Sequence, residues 1–169
     1  MTERQEISLT EQLEQAVRLR EAQQYDEALG LLLSLYEAHP QHPLVNYHCA
    51  WTCDALGRES EAVPFYKRAI ENGLVGDDLE GALLGLGSTY RCLGQYEASA
   101  QTLRQGLQQF PKSRQFEAFL ALTLYNLGDY ASAMELLIRN LAETSEDESI
   151  RRYRRALLFY ADKLDETWT

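Results

Sequence analysis

The chain contains 169 residues and carries a net charge of -10, from 26 acidic and 16 basic side chains. A charge of this sign repels phosphate backbones, so nucleic acid is disfavoured as a partner. Hydrophobic residues make up 45% of the sequence and only four residues are proline, which fits one folded, helix-rich domain over residues 1–169. The sequence shows neither a secretory signal nor an apolar run of membrane-spanning length, so we expect a cytoplasmic protein without membrane contact.

Two helices are predicted at the start of the chain. Ser8 and Glu11 have the spacing of a capping box, in which two side chains bond to the free amide groups of a helix start. An apolar stripe that includes Leu13 and Val17 follows at helical spacing. We therefore expect a first helix from Ser8 and a second helix over about residues 25–38.

One pattern recurs along the chain at a nearly constant spacing. Gly57, Gly94 and Gly128 each follow a helix-like apolar run, and Gly94 and Gly128 lie 34 residues apart. Gln23 lies 34 residues before Gly57 and opens a turn of the same form. Between Gly57 and Gly94 the spacing is 37, which places three extra residues in the turn at 73–78. Glycine tolerates positive φ at a helix end, so we predict positive φ at these three glycines.

The segment after the last copy predicts one more helix. Residues 147–166 carry Ile150, Leu157 and Leu164 at helical spacing, with charged residues mostly between them. We expect this capping helix to cover the end of the array with a polar outer face. The arginine-rich run 151–155 follows an acidic stretch, and we interpret it as a solvated helix face.

The copy near the middle of the chain shows most clearly which pattern repeats. It has characteristic residues at Leu86, Gly87, Tyr90, Tyr96 and Pro111. These residues resemble the motif of the tetratricopeptide repeat family, although Ser99 stands where alanine is usual. The resemblance implies an all-α fold, a right-handed α-solenoid of stacked helix-turn-helix repeats. The repeats would span about residues 9–42, 43–79, 80–113 and 114–147, followed by the capping helix.

The resemblance also implies where a partner would bind. In this family the first helix of each pair lines the concave face of the solenoid. By register, that lining would consist of Leu13, Val17, Arg20, Leu44, Tyr47, Trp51, Asp54, Leu84, Ser88, Arg91, Ala118, Leu122 and Tyr125. Trp51 is the first candidate, because its side chain combines a large apolar area with a polar group. The alternatives are that Trp51 belongs to the core, or that the chain's own last helix fills this face.

One subset of the family binds the carboxyl terminus of chaperone tails through lysine and asparagine side chains. The corresponding positions of this chain are Leu13, Val17, His48, Gly81 and Gly85, none of which is lysine or asparagine. We therefore expect a different kind of partner, a protein or peptide with exposed apolar side chains in a helix or an extended segment.

The cysteines and histidines have no recognisable metal-binding pattern. Cys49 and Cys53 lie four residues apart at packing positions of one helix, which predicts buried, inert thiols. His39, His42 and His48 are close in sequence, but no carboxylate or second cysteine joins them at ligand spacing. We expect neither a metal nor a cofactor.

The sequence leaves three classes of function to compare. The first is a non-catalytic scaffold or adaptor that binds a peptide or protein segment in the concave groove. The second is a homodimer formed through the apolar face or the last helix. An enzyme is the third and weakest hypothesis, because the sequence has no phosphate-binding loop, metalloprotease motif or nucleophile elbow.

Overall fold

The computed structural model describes residues 3–168 of the chain, with side chains from residue 9 onward. These residues form ten α-helices and no strand. The helices are α1 (Glu3–Glu21), α2 (Tyr25–Ala38), α3 (Pro43–Ala55), α4 (Glu59–Glu71), α5 (Gly76–Cys92), α6 (Tyr96–Gln109), α7 (Arg114–Asn126), α8 (Tyr130–Thr144), α9 (Glu148–Arg152) and α10 (Arg154–Tyr160). They belong to two compact units, which meet in sequence between Leu93 and Gly94.

The first unit is organised around α3, which packs against α1, α2, α4 and α5. Several of its residues are small and fully buried, including Cys49, Ala50 and Cys53. Small side chains let neighbouring helices approach closely, so α3 can contact four partners at once. Larger residues such as Leu32 and Tyr66 then fill the space between the helices.

The turns between helices have the geometry predicted from the recurring glycines. Gly57, Gly94 and Gly128 adopt φ values of 69°, 73° and 83°, and this confirms the prediction of positive φ. Gln23, at the matching position of the first turn, has a φ of 62°. Among the described residues it is the one residue other than glycine with positive φ, a conformation that costs a side-chain-bearing residue roughly 1–2 kcal/mol.

The second unit is centred on α7, which packs between α6 and α8. Gly106 of α6 leaves the space that Phe116 of α7 occupies, since a Cβ on Gly106 would lie 2.2 Å from the Phe116 ring. Ser99, the departure from the usual alanine, lies on the same pair of helices. Its hydroxyl is 2.9 Å from the hydroxyl of Thr123, so the buried polar atoms satisfy each other.

Two predicted helices have different bounds in the structure. The first helix begins at Glu3 rather than at Ser8, because the residues before Ser8 are good helix formers and nothing interrupts them. The segment predicted as one helix over 147–166 contains α9 and α10, separated at Tyr153, and its helical part ends at Tyr160. Leu164 is exposed and makes no buried stripe, whereas α10 is held against α8. The role of this segment as an end cover, and the single domain with its repeat boundaries, stay predictions.

Candidate functional site

The binding residues predicted in the first unit lie on α1, α3 and α5, and α3 contacts both of the other two helices. Their exposure is uneven. Leu13, Arg20 and Tyr47 are buried, Val17, Leu44, Asp54, Leu84, Ser88 and Arg91 are half-buried, and Trp51 is 45% exposed. The predicted set therefore contains both surface side chains and the side chains that support them from below.

Arg20 and Trp51 form the most specific contact of this face. The guanidinium carbon of Arg20 lies 3.6 Å from the centroid of the Trp51 ring. Such a cation–π contact contributes about 1–2 kcal/mol when it is partly shielded from water. Arg20 is only 8% exposed, and among the described residues no carboxylate oxygen lies within 4.0 Å of its guanidinium nitrogens. The contact holds one face of the Trp51 ring and leaves nearly half of the side chain in solvent.

His48, which lies on α3 together with Trp51, also contacts Arg20. The Nη1 group of Arg20 lies 3.2 Å from Nδ1 of His48. An arginine can only donate, so the imidazole accepts this hydrogen bond in its neutral form, with its proton on Nε2. Burial, followed by the nearby charge of Arg20, lowers the pKa of His48 to about 4. His48 is therefore a neutral acceptor across the physiological pH range.

Two tyrosines beneath this face occupy space that is open only because α5 has glycines opposite them. A Cβ on Gly81 would lie 2.2 Å from the hydroxyl oxygen of Tyr47, and a Cβ on Gly85 would lie 2.4 Å from that of Tyr66. The two tyrosine rings lie 6.4 Å apart, and Tyr47 also packs against Trp51 at 5.8 Å. The phenol of Tyr47 from α3 and that of Tyr66 from α4 therefore fill the space that the two glycines leave open on α5.

Asp54, near the end of α3, lies in a polar network of hydroxyl groups. The hydroxyl of Tyr66 donates to its Oδ2 at 2.9 Å, and the hydroxyl of Thr89 lies 2.8 Å from the same oxygen. The Thr89 hydroxyl has one proton and is also 2.8 Å from the carbonyl oxygen of Gly85, so it donates to one acceptor at a time. Burial raises the pKa of Asp54, and the two hydroxyl hydrogen bonds oppose that rise. The network joins α3, α4 and α5.

An apolar cleft of about 410 Å³ lies between α1 and α3. Its walls include three of the predicted residues, Leu13, Val17 and Leu44, and it extends to His48. Glu14 and Arg18 lie at its rim and face each other at 3.6 Å. His48 is a wall of this cleft and also contacts Arg20, so a chain of contacts joins the cleft wall to the Arg20–Trp51 pair. A site of this size with mostly apolar walls can hold bulky side chains of a ligand.

The predicted residues of the second unit lie on α7. Leu122 and Tyr125 are exposed, and Ala118 is half-buried. The ring of Tyr125 packs edge-on against Tyr130 of α8 at 5.1 Å. These side chains are available to a partner on the surface of that unit.

Cys49, Cys53 and His42 have structural roles in the helices and the core, whereas Cys92 is exposed. Cys49 and Cys53 are buried as predicted, and burial raises their pKa values to about 12 and about 11, so both thiols stay protonated. His42 caps α3 by accepting a hydrogen bond from the amide of Val45 at 3.4 Å. In the part of the chain that the structure describes, no three His, Cys, Asp or Glu side chains are placed to hold a metal.

The residues predicted from the sequence include some members of this site but none of its contacts. Arg20 and Trp51 were both in the predicted lining, but their stacking was not predicted, and His48, Tyr66 and Thr89 were outside it. Gly81 and Gly85 were the available signal. Two glycines one helical turn apart in the middle of a helix indicate that something bulky approaches that helix closely.

Comparison with known proteins identifies the fold. A family model described as Tetratrico peptide repeat matches residues 43–164, more than half of the chain. The chain belongs to the tetratricopeptide repeat family. It has the all-α solenoid fold of that family, whose members are in general non-catalytic interaction modules. No curated protein matches the sequence.

Solved structures of this tetratricopeptide repeat fold are similar at low sequence identity. They include the APC/C hetero-tetramer Cut9–Hcn1 (18% identity, TM-score 0.74, 90% of this chain and 29% of that chain). A tetratricopeptide repeat protein from Parabacteroides merdae has 19% identity and a TM-score of 0.73 over 89% of this chain and 58% of its own. YrrB, described as having an unusual peptide-binding site, has 15% identity and a TM-score of 0.63 over 92% and 86%. The chain thus spans less than two thirds of the length of the first two proteins. No helix among the described residues is both long and apolar enough to cross a bilayer.

Proposed function

We propose that this tetratricopeptide repeat chain is a non-catalytic scaffold or adaptor that binds a peptide or protein segment on the face of its first helices. Two observations carry the proposal: the apolar cleft between α1 and α3, and the exposed half of Trp51, which is linked to the cleft wall at His48 through Arg20. YrrB, a protein of similar fold, is described as peptide-binding, which agrees with this use of the face.

The chemistry of the face favours an apolar partner segment. Leucine and valine side chains supply most of the apolar surface of the cleft, and Trp51 on α3 offers a large exposed aromatic surface. Buried aromatic anchors often dominate the binding energy of protein interfaces. Arg20 keeps Trp51 in one orientation before binding, so little side-chain freedom is lost when a partner covers the ring. We expect a helix or an extended segment with two or more bulky apolar side chains, and the cytoplasmic location stays a prediction.

A peptide selection followed by matched variants tests this function. Peptides are selected on the full chain from a displayed library, and their affinity is measured by fluorescence anisotropy. We expect Trp51→Ala to weaken the selected peptides by about tenfold or more, because it removes the aromatic anchor. Trp168→Ala is the matched control, since Trp168 is also an exposed tryptophan but lies on another unit. Equal affinities for wild type and Trp51→Ala would place the binding site elsewhere.

A homodimer is the second candidate, and one feature of α8 favours it. Tyr130, Met134, Leu137 and Leu141 are all exposed and follow one another at spacings of four, three and four residues. This is the spacing of an apolar stripe along one side of a helix, and such stripes pair in coiled-coil interfaces. On this hypothesis two copies associate through α8.

Analytical ultracentrifugation over a range of concentrations separates the two candidates. If α8 forms a dimer, Leu137→Glu shifts the protein to monomer, because the interface would then bury a charge. Leu33→Glu is the matched control, as both leucines are 39% exposed and lie on second helices of their pairs. A monomeric mass for the wild type at all concentrations would leave the dimer without support.

A further inference from the structure

We call the cleft between α1 and α3, together with Trp51, the first-helix face. A second candidate surface lies on other residues, at the end of the described chain. We define the arginine–aromatic patch as Arg151, Arg152, Tyr153, Arg154, Arg155, Phe159 and Tyr160, all of which are exposed. In the fold, α10 packs on α8, its residues 156–158 are half-buried, and Ala161, directly after the helix, is fully buried. The aromatic residues of this segment therefore point outward, although an amphipathic helix would normally bury them.

The patch has a shape as well as a charge. Its side chains enclose a cleft of about 420 Å³, which is lined by Arg152, Tyr153, Arg155, Ala156, Phe159 and Tyr160. The Phe159 ring packs near Trp168, at 6.0 Å between centroids, and near the Lys163 ammonium, at 5.0 Å from the ring centroid. The cleft thus places two arginines beside aromatic rings that have packing partners of their own.

The arginines of the patch are largely uncompensated. Arg151 lies 3.7 Å from Glu146, and both side chains are mostly exposed. For Arg152, Arg154 and Arg155, no carboxylate oxygen of the described residues lies within 4.0 Å of the guanidinium nitrogens. A solvated helix face explains exposed arginines, but it does not explain three exposed aromatic rings among them. Arginine and aromatic side chains together are the composition of binding hot spots in protein interfaces.

We propose that the arginine–aromatic patch binds a short acidic peptide segment of a partner protein that carries one bulky apolar side chain. Carboxylates of the segment pair with the guanidinium groups of Arg152 and Arg155, which can each donate two parallel hydrogen bonds. The apolar side chain enters the cleft and packs on Phe159 and Tyr160. This site is independent of the first-helix face.

The charges around the patch favour a short peptide over an extended polyanion. The acidic residues Glu146, Asp147 and Glu148 precede the patch, and Asp162, Asp165 and Glu166 follow it. A nucleic acid strand or an anionic membrane would extend over these carboxylates and would also meet the net charge of -10 of the chain. A segment of a few residues meets only the arginines.

The test uses the full chain and a short fluorescein-labelled probe peptide of glutamates around one central phenylalanine. Two further peptides replace the glutamates by glutamines or the phenylalanine by alanine. We expect the first peptide to bind, each substituted peptide to bind about tenfold or more weakly, and affinity to fall as NaCl rises from about 50 to about 500 mM. Equal binding of the glutamine peptide would overturn the proposal.

Matched variants assign the binding to the patch. Arg152→Glu with Arg155→Glu should weaken the probe by about tenfold or more, and Phe159→Ala should weaken it at unchanged salt dependence. The control is Arg104→Glu with Lys112→Glu, which reverses the same number of exposed charges elsewhere on the second unit. Circular dichroism verifies that each variant is folded. A control that loses as much affinity as the patch variant would show general charge attraction and overturn the site.

Three further results separate the proposed occupant from others. Trp51→Ala should bind the probe as the wild type does, because it changes only the first-helix face. The result for this site therefore does not depend on whether the first-helix face binds a peptide. Tighter binding to phosphatidylserine vesicles or to single-stranded DNA than to the probe would overturn the choice of a peptide. Self-association that Arg152→Glu with Arg155→Glu abolishes would show that a second copy of the chain is the occupant and overturn it too.

Discussion

Arg20 is nearly buried and yet has no carboxylate beside it among the described residues. Burying an uncompensated charge is unfavourable, and desolvation accordingly lowers the pKa of Arg20. The ring of Trp51 and the Nδ1 lone pair of His48 partly replace the lost water. The interaction with His48 exists only while the imidazole is neutral, so the contact makes the stability of the first unit depend on pH.

The dependence on pH has a definite sign at His48. Its pKa is lowered in the folded protein to about 4, from 6.5 in a free side chain. As pH falls from about 6.5 to about 4, the unfolded chain takes up a proton at His48 and the folded chain does not, so stability is lost over this window. Over this window we expect the titration of His48 to lower the free energy of unfolding by on the order of 2–3 kcal/mol.

Urea unfolding of the wild type and of His48→Gln between pH 7 and pH 4 measures how much His48 contributes to the pH dependence of the free energy of unfolding. Glutamine keeps a hydrogen-bond acceptor for Arg20 but does not titrate. Asp54, whose pKa is raised and whose contribution has the opposite sign, is present in both proteins and cancels in the difference. Parallel stability curves for the two proteins would contradict the assignment to His48.

At the scale of the helices, the turn after α1 is the one strained connection of its kind that the structure describes. Gln23 has a φ of 62° where the equivalent turns have Gly57, Gly94 and Gly128. The repeat pattern aligns these four positions from the sequence alone. The strain is therefore a property of one repeat copy, in which the helix end has kept its geometry without its usual residue.

Exchanging the residues at two of these turns tests that explanation. Gln23→Gly should raise the free energy of unfolding by roughly 0.5–1 kcal/mol, because the left-handed strain is relieved at some cost in chain entropy. Gly57→Gln is the matched reverse change and should lower it by about 1 kcal/mol or more. No atom lies within 4 Å of a Cβ built on Gly57, so the backbone alone accounts for the effect. Thermal unfolding of both variants gives the comparison, and effects of the same sign would contradict it.

The turns and the helices between them were predictable because they depend on local sequence. A glycine at a helix end and an apolar stripe at helical spacing act within a few residues. The contact between Arg20 and Trp51 depends on how α1 and α3 rotate against each other, which no local pattern specifies. Likewise, Tyr47 and Trp51 are one turn apart on α3, but Tyr47 is buried because Gly81 makes room for it on another helix. The division of the last helix at Tyr153, after which α10 packs on α8, is likewise not indicated by the local apolar spacing.

At the scale of the whole molecule, the negative charge is distributed unevenly. Residues 1–93 contain 15 acidic and 7 basic residues, a net charge of -8, and residues 94–169 contain 11 and 9, a net charge of -2. The first unit has two ion pairs among its described side chains, both exposed and at 3.6 Å. The second unit has six, including those of Arg114 with Glu117 and Glu143. Repulsion between acidic side chains therefore dominates the electrostatics of the first unit, while attractive ion pairs contribute more in the second.

Added salt should act differently on the two units for this reason. Raising NaCl from about 20 to about 300 mM shortens the Debye length from roughly 20 Å to roughly 6 Å and screens both repulsion and exposed ion pairs. In residues 1–93 the loss of repulsion dominates, so amide hydrogen exchange of α2–α4 should become slower. In residues 94–169 the weakening of the ion pairs offsets the stabilisation that comes from screened repulsion. Amide exchange of α6–α8 should therefore change little or become faster. KCl at the same ionic strength should reproduce the result, because screening does not depend on the cation. Equal slowing of exchange in both units would show that the net charge of -10 acts on the molecule as a whole rather than through its local distribution.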